Sequence, residues 1–116
     1  MRWKLTVRSG SEVKRSSFDD VERALDALEA RGGELAKTAP RQVVDTKLKQ
    51  FEPVQQVVAR LELSGPERFV PSFRAGVDVR GDGSVEAYRG RVRREVLEER
   101  KGETVYAALR RAVQQR

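Results

Sequence analysis

Arginine residues occur at alternating positions of several segments whose sequence predicts β-strands. Alternate positions on a strand place side chains about 7 Å apart on one face, a spacing that can follow a phosphate backbone. The residues that we expect to face outward and bind nucleic acid are Arg74, Arg80, Arg91, Arg93, Arg2, Lys4 and Arg8. Only Tyr88 lies among these arginines as an aromatic that could stack on a base. Binding should therefore be directed at the backbone and independent of sequence.

The overall charge points in the same direction. The 116-residue chain has 24 Lys and Arg against 18 Asp and Glu, a net charge of +6, and positive charge favours polyanionic partners. A GC-rich coding sequence would also explain why the chain contains more Arg than Lys. The abundance of Ala, Gly and Val and the absence of Ile fit that explanation. The alternative for the arginine face is therefore a solvated surface of ion pairs, with Glu62, Asp78, Glu86 and Glu95 as the acids.

Several kinds of chemistry are excluded by composition. The chain contains no Cys and no His, so it has no thiolate or imidazole ligand for zinc or haem and no Ser-His or Cys-His dyad. The acids available for a metal or acid-base site are Asp45, Glu52, Asp78, Asp82 and Glu86, and they form no spaced ligand motif. We therefore expect no metal, no cofactor and no catalytic residues, and we interpret the protein as non-enzymatic.

The first third of the chain predicts a hairpin followed by a helix. Residues 2–8 alternate apolar and polar side chains, and residues 12–16 return after a turn. Ser17 is a suitable N-cap for a helix whose apolar residues recur at helical spacing, and Gly32–Gly33 predicts its end. The expected helix is thus about four turns long.

The middle of the chain predicts irregular structure and then two strands. Residues 34–40 show a mixed pattern, whereas residues 41–51 and 54–64 resemble strands interrupted at Pro53. The second of these strands alternates clearly and has Val58 as its single apolar residue on the outer face.

A tight hairpin is predicted around Gly81–Gly83. A three-residue loop there pairs Val79 with Val85, Val77 with Ala87 and Ala75 with Arg89. That register directs Arg89 toward the core and Tyr88 outward, so we expect a bulge or kink near Gly90 or a buried carboxylate beside Arg89.

A closing helix over residues 103–113 completes a β-β-α-β-β-β-β-α order. This order predicts an α+β fold in one domain, residues 1–116, with an antiparallel sheet of about five to six strands and two helices packed on one face. The first or the last strand should form an edge of the sheet. With no signal peptide and no membrane segment in the sequence, we expect a cytoplasmic protein.

The function that best fits these features is sequence-independent binding of the nucleic-acid backbone by the arginine-rich sheet face. The alternative is a protein-protein interaction or homodimerisation module that uses Val58, Tyr88 or an edge strand. A further alternative is a small-ligand pocket between a curled sheet and the first helix, although few aromatic residues are available to line one.

Overall fold

The computed structural model describes residues 2–45, 56–66, 73–90 and 94–115, excepting the side chains of residues 40–45. In chain order the elements are β1 (Trp3–Ser9), β2 (Glu12–Phe18), α1 (Val21–Asp45), β3 (Val57–Ser64), β4 (Arg74–Arg80), β5 (Val85–Arg89), β6 (Glu95–Val96) and α2 (Val105–Gln114). The predicted order of strands and helices is confirmed.

The six strands form one antiparallel sheet in the order β2-β1-β3-β4-β5-β6. β1 is an interior strand, because β3 pairs with the side of β1 that β2 leaves open. The edges are therefore β2 and the last strand, β6, and the expectation of an edge at the first strand is wrong while that at the last strand is correct.

Both helices cover the same face of the sheet, as predicted. Alternate residues of the strands meet the apolar stripes of the helices in a single core, and its fully buried side chains include Leu61, Leu63, Val77 and Val79 from the sheet and Leu25, Leu28, Leu109 and Val113 from the helices. The opposite face of the sheet, called the open face below, carries the polar residues of the same strands.

The helix α1 is much longer than the sequence predicts. Gly32–Gly33 does not end it, residues 34–40 are helical rather than irregular, and residues 41–45 continue the helix instead of starting a strand. The remainder of that predicted strand, residues 46–51, lies outside the described residues. The helix continues because Leu35 and Ala39 extend its buried stripe onto the core, so tertiary packing outweighs the low helix propensity of glycine.

The β4–β5 hairpin has the register that apolar pairing predicts, including Ala75 opposite Arg89. The chain turns away at Gly90, which has a φ of 115°, so the predicted kink is present. Arg89 does not enter the core, however. Its side chain is exposed at the end of the strand and pairs at 3.4 Å with the exposed Glu95 of β6, which makes a buried carboxylate unnecessary.

Candidate nucleic-acid interface

The register of the strands arranges most of the open face in three rows, and Arg80 lies beyond them, opposite Val57. One row runs Val13, Arg8, Arg60, Asp78 and Glu86 from β2 to β5. The next runs Arg15, Thr6, Glu62, Gly76, Tyr88 and Val96, and the third runs Ser17, Lys4, Ser64 and Arg74. The β2 and β1 side therefore carries cations, hydroxyls and Val13, and acids occur in these rows only from β3 onward.

Ion pairs occupy the acids of β3, β4 and β5. Arg60 forms a two-point pair with the buried Asp78, with Nε and Nη2 donating to its carboxylate at 2.6 and 3.1 Å. The hydrogen bond to Asp78 is the main cause that raises the pKa of Arg60. Arg74 pairs with Glu62 at 3.2 Å and Arg80 with Glu86 at 2.8 Å. Each of these pairs is locally neutral.

Tyr88 is enclosed by this network rather than presented to solvent. Its side chain is only 3% exposed, and its hydroxyl donates a 3.0 Å hydrogen bond to Glu62. The guanidinium carbons of Arg60 and Arg94 lie 5.9 and 4.8 Å from the centre of its ring. Burial first, and then the charge of Glu62, raises the pKa of the phenol above its ordinary value. Tyr88 lies on the open face, as predicted, but it cannot stack on a base in this conformation.

The residues predicted to bind nucleic acid fall into four groups. Arg74 and Arg80 are on the open face but are engaged by Glu62 and Glu86. Arg2, at the start of the chain, is exposed and lies 3.7 Å from Asp19. Arg91 and Arg93 lie outside the described residues, so the structure does not place them.

Lys4 and Arg8 form the fourth group, and Arg15 joins them. All three side chains are exposed on the open face, and none forms an ion pair with an acid in the described part of the chain. We call Lys4, Arg8 and Arg15 the β1–β2 cation cluster. Arg15 was not among the residues predicted to bind, although its position two residues after Val13 is the signal that places both on one face of β2.

Hydroxyl groups lie between these cations. Thr6 occupies the position between Lys4 and Arg8 on β1, directly opposite Arg15. Ser17 and Ser64 lie opposite Lys4 on its two neighbouring strands. Guanidinium, ammonium and hydroxyl donors are the groups that contact phosphate in proteins that bind nucleic acid.

The apolar positions considered for protein docking lie elsewhere than expected. Val58 is at an irregularity in the β3–β4 register and is half-buried against the core. Val13, Val57 and Val96 are the exposed large apolar residues within the described ranges, and they belong to three different strands. They do not combine into one apolar patch.

A cavity of about 570 Å³ lies between β6, the segment after it and α2. Its lining is charged and includes Arg89, Glu95, Arg100 and Arg111. Arg111 donates to both oxygens of Glu103 at 3.0 Å and to the backbone carbonyl of Glu98. These hydrogen bonds of Arg111 hold the segment between β6 and α2 against α2.

Within the described ranges, no group of three or more carboxylates is placed to hold a metal ion. The helices of the described chain are too polar or too short to cross a bilayer. A search of protein-family models, curated proteins and solved structures finds no match for this chain.

Proposed function

We propose that the protein binds the phosphate backbone of nucleic acid through the open face of its sheet, at the β1–β2 cation cluster. The observation that carries this proposal is the position of Lys4, Arg8 and Arg15, exposed on neighbouring strands with no described acid paired to them. Cations arranged in this way attract a polyanion and release the counterions condensed on it.

The ion pairs of the central strands prevent nearby acids from weakening the positive field of the β1–β2 cation cluster. Glu62, Asp78 and Glu86 would weaken a positive field if their charges were uncompensated. Because each is held by an arginine of its own, the field over the open face is set mainly by the β1–β2 cation cluster. The arginines of the central strands thus form ion pairs, which was the alternative considered from the sequence. We therefore assign binding to the side of the sheet near β2.

The proposal is tested by measuring affinity for a DNA or RNA oligonucleotide as a function of salt. Each phosphate contact contributes a slope of about −0.9 on logarithmic axes for duplex DNA. The double variant Arg8→Ala/Arg15→Ala should flatten the slope by nearly two units. Arg23→Ala/Lys37→Ala is the matched control, because it removes the same charge from two exposed positions of α1 in the other layer.

Equal losses in the two double variants would show attraction to net charge alone and would contradict the assigned surface. Absence of binding near 50 mM salt, where electrostatic attraction is strong, would contradict nucleic-acid binding itself.

The edge strand β2 supports a second candidate function, homodimerisation by pairing with a strand of a second copy of the chain. Six of its seven residues are exposed, and its register with β1 is regular over the full length. Lys14 and Arg15 act against such pairing, because charged residues on an edge discourage an added strand. Sedimentation velocity of the purified protein tests this candidate, which requires a species larger than the monomer.

A further inference from the structure

The enclosure of Tyr88 limits the kind of nucleic acid that the open face can hold. Proteins that bind single strands without sequence preference gain much of their affinity by stacking bases on aromatic side chains. Tyr88 is the aromatic residue on the described part of the open face, and it is 3% exposed with its hydroxyl bound to Glu62. A single strand would therefore be held there by its phosphates alone.

The donors on β1 form a straight row on a fixed backbone. Lys4, Thr6 and Arg8 occupy alternate positions of an interior strand, so each is about 7 Å from the next along the row. Arg15 stands beside Thr6 on the neighbouring strand, about 5 Å away. Since β1 is paired on both sides over these residues, the backbone that carries the row is held in one conformation.

Donors carried at regular intervals on a fixed backbone match a ligand whose phosphates are already regularly spaced. Duplex nucleic acid has one charge for about every 1.7 Å of its axis, and each contact releases more counterion from it than from a single strand. A single strand would also lose conformational entropy on being aligned with the row, without a stacking gain to offset the loss.

We infer that the ligand of this surface is double-stranded nucleic acid, contacted along the phosphates of one strand by Lys4, Thr6, Arg8 and Arg15, with no contact to the bases. This inference rests on the proposed function and specifies its ligand class.

The test compares a mixed-sequence duplex of about 20 base pairs with an unstructured single strand of the same length, using fluorescence anisotropy at several salt concentrations. We expect the duplex to bind more tightly at every salt concentration. The salt slope should also be steeper for the duplex, about −0.9 per contact against about −0.7 for the single strand. Two duplexes of unrelated sequence should bind equally.

The variant Thr6→Val tests the row without changing charge or β-branching. We expect at least about a ten-fold loss of duplex affinity with an unchanged salt slope, because one hydrogen bond to an ionised group is lost. Thr38→Val, the same exchange on α1, is the control and should leave affinity unchanged.

The outcomes separate the inference from the proposed function. A single strand bound as tightly as the duplex, or an unchanged duplex affinity in Thr6→Val, overturns the inference while nucleic-acid binding stands. Failure to bind either polymer overturns both.

Discussion

The hydroxyl of Tyr106 on α2 lies directly against the Cα of Gly32 in the middle of α1. A methyl group at residue 32 would overlap that hydroxyl, whereas one at Gly33 would meet no atom within 4 Å. The two glycines that the sequence presents as a helix stop therefore have different roles. Gly32 permits the close contact between the two helices, and Gly33 lies on an open side of α1.

Substitution of the two glycines should have opposite effects on stability. Gly33→Ala should raise the free energy of unfolding by about 0.5–1 kcal/mol, because alanine favours the helix and meets no neighbour. Gly32→Ala should lower it by about 1–3 kcal/mol, because Tyr106 must move out of a packed interface. Urea denaturation measures both, and equal effects at the two positions would show that Tyr106 does not pack as described.

Acid should weaken the attachment of the segment before α2. The carboxylate of Glu103 accepts hydrogen bonds from the Arg111 guanidinium and from the backbone N–H of Arg100, which lower its pKa from 4.5 to about 2. A pKa lowered by folding contributes stability that is fully present above about pH 4.5 and is lost as the pH falls toward 2.

The measurement is the melting temperature of the protein and of Glu103→Gln between pH 7 and pH 2. We expect the variant to be less stable at neutral pH and the two curves to converge in acid. Glu99→Gln, at an exposed acid with no ion pair in the described part of the chain, is the control. Parallel curves for Glu103→Gln and the native protein would contradict the assigned ion pair.

Both tyrosines should resist ionisation in the native state. Burial raises the pKa of Tyr88, assisted by the charge of Glu62, and burial likewise raises the pKa of Tyr106, assisted by Glu29. The stability that depends on the neutral phenols is therefore complete below about pH 10 and is lost as the pH rises further.

Tyrosinate absorbance measures this effect. In the native protein it should appear well above pH 10, and in denaturant both residues should titrate near the ordinary value. The variants Tyr88→Phe and Tyr106→Phe assign the two steps. A native signal near pH 10 that Tyr88→Phe removes would show that Tyr88 is accessible and would also remove the basis for preferring duplex ligands.

The pair formed by Arg80 and Glu86 should contribute little to binding. The double variant Arg80→Gln/Glu86→Gln removes both charges without altering the net charge of the open face. We expect its affinity for nucleic acid and its salt slope to equal those of the native protein, and its stability to change by no more than about 1 kcal/mol. A clear loss of affinity would place Arg80 in the interface, as the sequence alone suggested.

The strands were predictable where apolar residues alternate with polar or small ones along the sequence. β1, β4 and β5 alternate apolar and polar residues, and matching apolar residues across the turn at Gly81–Gly83 was sufficient to predict the β4–β5 register. Local pattern determines these elements because each apolar residue faces the same core.

Other features depend on contacts between distant parts of the chain. The full length of α1 depends on its packing onto the sheet and on α2, so the local signal at Gly32 was misleading. β2 buries none of its residues fully, so it gave little apolar periodicity and Arg15 was overlooked. The ion pairs of Arg60 and Arg74 could not be assigned either, since their acids come from a neighbouring strand whose register was unknown.

The pairing of β1 with β3 has a consequence for how the chain folds. Four of the five strand pairings join strands that are consecutive in the sequence: β1–β2, β3–β4, β4–β5 and β5–β6. In the fifth pairing, β1 and β3 are separated in the sequence by β2, α1 and the residues between α1 and β3. Closing that long loop costs chain entropy before the buried contacts of Leu5 with its neighbours can form. The β1–β2 hairpin therefore joins the sheet only after the chain as far as residue 64 has come together. The pairing of β1 with β3 should be the step that limits the rate at which the whole sheet forms.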